Sequence, residues 1–415
     1  MLNPKTQQRE LAYIVLIDKI EPIIGSDNCE SAVVGGWHIM VRKEQFKPGN
    51  LAIYFEIDSK VPADKECFAF LEKRHYKVKT QKFTFGGKGN FISQGLLMHP
   101  SDFGWNSDAS LTISGGIIDN EGNIHYATDE SRFLTKQLGV IYADDEDNQR
   151  KAPTVDKYKR MAARHPDIFK QKWARWLMRR QWGKNLMFLF FGNKRKKKDW
   201  PEWVQKTDEE RVQNMPWILN DDGDWIATEK IDGTSTTFTM KRGLFGRKQF
   251  YVCSRNVCFT TPNQACFYDT NVYLEMAQKY NMRDVLSALL KKYPHEKWIT
   301  IQGETYGNDV QKRDYSLKEH KLAVFNLIFS SRGRVGTIEM KNILKEYNIP
   351  CVPVVEENMK INQFENVDAI LAYADGNSQI DNLMREGIVF RSVDGVKSFK
   401  AVSNNFLLKY HGYGK

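Results

Sequence analysis

Residues 225–241 read Trp-Ile-Ala-Thr-Glu-Lys-Ile-Asp-Gly-Thr-Ser-Thr-Thr-Phe-Thr-Met-Lys. β-Branched and aromatic residues fill both halves and a glycine interrupts them, so 225–231 and 235–241 read as a pair of antiparallel strands. Lys230 stands at the end of the first strand, Asp232 comes two residues later, and Gly233 supplies the turn. A lysine so placed can take a nucleotidyl group. The four-residue pattern is weak by itself, because a lone lysine on a strand is most often a solvated surface residue.

The downstream chain carries more weight. Strand patterns recur at 249–254, 298–303 and 321–329, and helical spacing at 271–292, 337–347 and 363–373. Two last strands, 386–391 and 396–402, flank the turn Val393-Asp394-Gly395. Mixed strands and helices with antiparallel neighbours give an α+β class. Polar residues mark the strand ends in a series: Ser254-Arg255-Asn256, Gln302-Gly303-Glu304, Lys321-Leu322-Ala323-Val324-Phe325-Asn326, Glu386-Gly387-Ile388-Val389-Phe390-Arg391 and Lys397-Ser398-Phe399-Lys400. Taken with Lys230-Ile231-Asp232-Gly233, this order and separation resembles the motif series of the covalent nucleotidyltransferases. That superfamily contains ATP-dependent DNA and RNA ligases and mRNA capping enzymes.

Upstream, residues 11–17, 31–41 and 50–57 are strand-like, with Gly35-Gly36 and Lys47-Pro48-Gly49-Asn50 as turns, and more strand comes at 77–85 and 91–98. Such a run of short strands reads as a small β-barrel, OB-like or SH3-like, and OB barrels commonly bind nucleic acid. Residues 111–147 read as short strands and an acidic loop. DNA ligases and capping enzymes typically carry the OB domain after the nucleotidyltransferase domain. A barrel ahead of it is similar to the fifth family of ATP-dependent RNA ligases. Thr207-Asp208-Glu209-Glu210-Arg211-Val212-Gln213-Asn214 and Tyr54-Phe55-Glu56-Ile57-Asp58-Ser59 resemble that family too. The expected architecture is an N-terminal OB-like β-barrel domain at 1–149, a basic linker or insertion at 150–205, and an α+β nucleotidyltransferase (adenylation) domain built on antiparallel sheets at 206–415.

The 415 residues are 41 % hydrophobic and 27 % charged, a globular composition that excludes collagen, coiled coil or wholesale disorder. The formal charge of +10 leans toward a polyanionic partner, but it is local. Residues 150–198 hold 17 basic and two acidic side chains, a net +15 that leaves −5 for the rest. Trp173, Trp176, Leu177, Trp182 and the apolar run 186–191 interleave with these cations at helical spacing. Three readings are open. One is phosphate contact with aromatic support, through Lys172, Arg175, Arg179, Arg180, Lys194 and Arg195. Another is a solvated helix whose tryptophans pack on a neighbouring domain. The third is a helix lying on a membrane surface. No apolar run approaches the ~20 residues that span a bilayer. The N-terminus lacks a signal-peptide pattern. Six scattered cysteines without a CxxC pair fit a reducing cytoplasmic setting and no structural zinc.

The family resemblance assigns roles. Lys230 is the nucleophile that forms lysyl-AMP, which passes to an RNA 5′-phosphate and is displaced by a 3′-hydroxyl. Lys400 contacts the α-phosphate. A lysine attacks only when deprotonated, and positive charge from a metal and from Lys400 would lower the Lys230 pKa. The implied nucleotide site takes in Glu229, Ile231, Asp232, Gly233, Arg255, Glu304, Phe325, Lys397 and Arg211. Arg255 would fork onto ribose and phosphate oxygens, Phe325 would stack on adenine, and backbone groups beside Glu229 would read the base. The cofactors expected are ATP and Mg²⁺ or Mn²⁺, hard cations served by carboxylates and water. Glu386 is the leading metal carboxylate, acting through bound water, with Glu304 and Asp232 beside it. Asp58, Glu210 and Arg211 would orient the β,γ-phosphates and a second metal. The family often shows Lys-x-Lys where this chain has Lys397-x-x-Lys400, with Ser398 at the first position, which leaves the role of Lys397 open. The expected partner is RNA or an RNA-containing nicked duplex, with neither a membrane nor an obligate protein partner. A capping-type guanylyltransferase or a non-catalytic nucleic-acid binder are the alternatives. Domain order counts against the first, and the intact Lys230, Glu304, Glu386 and Lys400 count against the second.

Overall fold

The computed structural model describes residues 1–108, 115–143, 166–191, 200–243, 247–259, 266, 268 and 270–411. In the N-terminal part, strands Ala12–Leu16, Leu51–Phe55 and Leu96–Met98 form one antiparallel sheet with Leu51–Phe55 in the middle. Its five residues, Leu-Ala-Ile-Tyr-Phe, are all buried, as expected of a strand covered on both faces. A second sheet runs Lys19–Pro22, Cys29–Val34, Trp37–Arg42. The strand-like run 31–41 is thus a hairpin, turned at Gly35 with φ +56°, a conformation glycine adopts without steric cost. The two core clusters of this part lie on either side of the central strand, one around Ile53, Phe55 and Phe68, the other around Trp37, Ile39 and Tyr54.

The C-terminal part holds two larger antiparallel sheets. One has four strands in the order Val354–Met359, Trp225–Lys230, Gly387–Ser392, Ser398–Val402. The other has six: Cys258–Phe259, Lys248–Cys253, Thr234–Arg242, Trp298–Gly307, His320–Phe329, Gly333–Arg334. The turn at 231–233 therefore carries the chain from one sheet to the other. Helices Val272–Lys279 and Met282–Lys292 pack Met276, Leu286 and Leu289 on the six-stranded sheet. The sequence pattern reads 271–292 as one helix. It is broken at Asn281, whose φ of +47° is a left-handed conformation asparagine tolerates. Helix Val367–Ala374 starts later than the 363–373 pattern because the Asn366 side chain accepts the Ala369 N–H and caps it there.

Two details of this scaffold position the site. Strand Trp298–Gly307 runs past Glu304, which lies inside the strand, not at its end. Its pairing with His320–Phe329 slips between Gln302↔Asn326 and Gly303↔Val324, so Phe325 is the extra residue of a β-bulge. Bulges re-aim side chains, and Phe325 is half-buried between the buried Val324 and Asn326.

The two parts touch directly. The Gly36 N–H donates to the Gln213 carbonyl at 2.8 Å, and the Trp37 indole donates to Asn214 Oδ1 at 2.6 Å. A Cβ at position 36 would come within 2.8 Å of Gln213 Cα, so the approach requires glycine. Val402 and Leu407 complete the barrel cluster of Trp37 and Tyr54.

Between these parts, Pro166–Phe169, Lys172–Met178 and Gln181–Phe191 are helical. Lys194, Arg195 and most of the acidic loop within 111–147 lie outside the described residues. Among the described residues, no helix is long and apolar enough to cross a membrane.

Candidate active site

Pairing of Lys230 with Gly387 brings the end of one strand against the start of the next. A Cβ at position 387 would stand 2.2 Å from the Ala401 carbonyl, so glycine permits this packing. The Lys230 ammonium donates to Glu386 Oε1 at 2.6 Å. Glu304 and Asp232 face the same lysine, and its electrostatics are set by all three acids. Burial works to lower the Lys230 pKa, but Glu386, Glu304 and Asp232 outweigh it and the net shift is upward. The sequence leads one to expect a lowered pKa. That expectation rests on a metal ion together with Lys400, whereas the upward shift is set by the three carboxylates. Glu304 shows the converse. Burial pushes its carboxyl up to about 8 against the pull of Lys230, and Glu386 and Asp232 add to the rise.

Gly233 has a packing reason as well. A side chain there would meet the Thr305 carbonyl at 2.4 Å and Glu304 Cγ at 2.9 Å, so glycine lets Glu304 approach Lys230. The Asp232 N–H donates to the Tyr315 hydroxyl at 2.6 Å, and His411 comes within 3.9 Å of Asp232. Ile231 points into a core with Tyr306 and Tyr315, beside Phe325. Glu229 is buried. Its Oε2 accepts the Gln379 N–H at 2.8 Å and its Oε1 has no partner.

A second cluster centres on Asp208. Its carboxylate takes Arg9 Nε at 3.0 Å, Lys400 Nζ at 2.7 Å and Arg255 Nη2 at 3.1 Å. Burial alone would raise its pKa, but Arg9, Lys400 and Arg255 hold it well below the usual carboxylate range. Lys400 is the mirror image of Lys230. Burial lowers its pKa most, Arg9, Arg211 and Lys230 lower it further, and Asp208 only partly offsets them, leaving it at about 8. Arg211 reaches the cluster through a parallel bridge to Lys400, whose N–H donates to the Glu210 carbonyl at 2.7 Å. Arg211 Nη2 pairs with Asp58 at 3.3 Å, while its Nη1 is buried without a hydrogen-bond partner. Asp58 adopts φ +67° at the loop.

The structure thus joins Lys230, Asp232, Glu304 and Glu386 in one cluster and Lys400, Arg255, Arg211 and Asp58 in the adjoining one. It turns Glu210 to Arg9 and Asn214. It does not bring Lys397 in: that ammonium is exposed and pairs with Asp221. Strand alternation puts Ser398 on the face of Lys400, where its hydroxyl donates to Glu209. Asp208, Arg9 and His411 are absent from the residues that sequence reasoning singles out as site candidates. Asp208 had a signal, since it lies in the stretch 207–214. Arg9 had none, being 199 residues away in the chain.

Residues 223–411 match the family described as RNA ligase. Residues 11–99 match an OB-fold domain. A search of curated proteins gives no match. Among solved structures, Naegleria gruberi RNA ligase with PPi superposes with a TM-score of 0.69 at 23 % identity, over 98 % of this chain and 100 % of that one. A mutant of that enzyme with ATP and Mn gives 0.68 at 24 %, over 97 % and 100 %. Another, with AMP and Mn, gives 0.68 at 23 %, over 98 % and 100 %. These likenesses establish a shared fold, an OB domain followed by an α+β domain on antiparallel sheets.

The carboxylate cluster suits a hard divalent cation. Glu386 Oε2 is buried with no hydrogen-bond partner, and Glu304 and Asp232 are near enough to perturb each other. No group of three or more His, Cys, Asp or Glu among the described residues is arranged to grip an ion directly.

Proposed function

We propose that this protein is an RNA ligase that seals an RNA 3′-hydroxyl to a 5′-phosphate at the expense of ATP, with Lys230 as nucleophile. The deprotonated Lys230 amine attacks the α-phosphorus, an N–P bond forms, the α–β P–O bond breaks and pyrophosphate leaves. The RNA 5′-phosphate then takes AMP from Lys230, and the 3′-hydroxyl displaces AMP to form the phosphodiester. Each step is in-line attack at phosphorus, governed by positioning and charge neutralisation. The contact between Lys230 and Glu386 beside the cationic cluster of Lys400 carries this reading.

The chain's own groups divide the work. Lys400, Arg255 and Arg9 hold anionic charge, now that of Asp208, and phosphate oxygens of the nucleotide compete for the same donors. Arg211, fixed by Asp58, offers its unpartnered Nη1 to the β,γ-phosphates. Glu210 supports that strand through its carbonyl bond to Lys400 and offers no free carboxylate of the kind a second metal needs. Phe325, re-aimed by its bulge, gives a flat apolar face for adenine. Gly233 leaves room at the turn, the backbone of Ile231 continues it, and Glu229 fixes the neighbouring loop through Gln379. Glu386, with Glu304 and Asp232, would hold Mg²⁺ or Mn²⁺, which would supply charge neutralisation at the phosphates. The Naegleria complexes with ATP, AMP, PPi and Mn support this cofactor set. The division into an OB-like domain at 1–149, an insertion at 150–205 and an adenylation domain at 206–415 belongs to the same proposal, as does a nicked RNA-containing duplex as substrate. Cysteines in the thiol form fit a reducing cytoplasm.

The test is sealing of a nicked RNA duplex with a labelled 5′-phosphate, with ATP or GTP and Mg²⁺. ATP-dependent protection of the label from phosphatase is expected. Sealing with GTP alone, or none with either nucleotide, contradicts the proposal.

A further inference from the structure

The helical segment 166–191 is absorbed by neither cluster, and its surface has a definite chemistry. Ala174 and Met187 are buried in a small core that, among the described residues, is completed by Ile168, Phe169, Leu177, Met178 and Phe188, all from the segment itself. The tryptophans do not share in it: Trp173 and Trp176 are each 49 % exposed and Trp182 is 53 % exposed. About half of each indole is therefore open to solvent. In helix Lys172–Met178 and the turn after it, Lys172, Trp173, Arg175, Trp176 and Arg180 are all exposed, while Ala174 faces inward. Cations and indoles share one side. The Arg180 guanidinium already lies 4.4 Å over the Trp176 ring, and Trp182 meets Trp176 edge-on at 6.0 Å.

We infer that this face is a docking surface for single-stranded RNA, gripping the strand outside the catalytic clusters. Bases stack on flat aromatic faces without sequence preference, and adjacent cations take the phosphates, so the two residue types must alternate on one surface, as they do here. A membrane-surface helix instead segregates its charged and apolar faces. The stripe Trp182, Leu186 and Phe190 on the second helix is the part a bilayer would engage, and the test includes it. The inference rests on the ligase reading for the identity of the strand, but direct binding measures it separately.

Two full-length variants are compared with the wild type: Trp173→Ala/Trp176→Ala/Trp182→Ala, and Arg175→Ala/Arg179→Ala/Arg180→Ala. Affinity for a fluorescent single-stranded RNA is measured by anisotropy across a salt series, together with self-labelling by ATP. The tryptophan variant weakens RNA binding by about tenfold or more, and Phe at the same three positions restores most of it. The arginine variant lowers the slope of log affinity against log salt by about 2. Both variants label with ATP as the wild type does. Unchanged RNA affinity overturns the inference, as does loss of labelling in parallel with binding, which marks a structural role. Loss of binding to phosphatidylserine vesicles with RNA affinity intact assigns the face to a membrane. A wild type that binds RNA through this face yet takes no label contradicts the ligase chemistry and leaves the docking surface standing.

Discussion

Two half-buried lysines stand in adjoining clusters and are tuned in opposite directions. Lys230 faces Glu386, Glu304 and Asp232 and is held protonated. Lys400 faces Arg9 and Arg211, with Asp208 as its counter-ion, and lies at about 8. Burial acts alike on both, so neighbouring charge makes the difference. In the proposed reaction, the anionic cluster would keep the Lys230 nucleophile protonated until positive charge engages its carboxylates. The cationic cluster keeps a phosphate-sized set of donors together around a carboxylate that phosphate can replace.

Removing Lys400 breaks the comparison most severely. Lys400→Ala is expected to slow covalent labelling by ATP about 10²–10³-fold, the usual loss for a donor aimed at developing charge, measured in single-turnover assays. Asp208→Asn removes the carboxylate that raises the Lys400 pKa most. Its labelling rate should fall about tenfold at pH 8, and the alkaline limb of its pH profile should move to lower pH. Phe325→Ala should raise the KM for ATP roughly five- to tenfold with little change in kcat, because aromatic stacking is worth on the order of 1 kcal/mol. Glu304→Gln acts on stability. Folding raises the Glu304 pKa from 4.5 to about 8, so its ionisation costs nothing below the lower value and increasingly more up to the upper one. The variant should melt ~3–5 °C higher than wild type at pH 8 and no higher near pH 4, while losing activity. Lys397→Ala should label within about twofold of the wild type, since its partner is Asp221 on the surface.

The same contrast explains what was legible in the sequence. Lys230, Asp232, Glu304 and Glu386 occupy strands or strand ends that alternation and turn chemistry mark plainly, and the structure gathers them as one cluster. The motif series also gives the antiparallel α+β architecture. The balance of charges around Lys230 was not legible, because it depends on which side chains meet in space. Asp208 with Arg9 joins positions far apart in the chain, and no local pattern announces such a pair. The bulge at Phe325 and the break at Asn281 arise from one residue each, against an otherwise regular pattern. Position 398 is a matter of register: the residue sharing a face with Lys400 is Ser398, so Lys397 faces away.

The central claim is that Lys230 is the covalent acceptor. Wild type and Lys230→Ala are incubated with α-labelled ATP and Mg²⁺, and protein-bound label is read after denaturation. The account predicts a labelled wild type, with the label released by acid as expected of a phosphoramidate, and an unlabelled variant. Equal labelling of the two proteins, or none in the wild type, contradicts it.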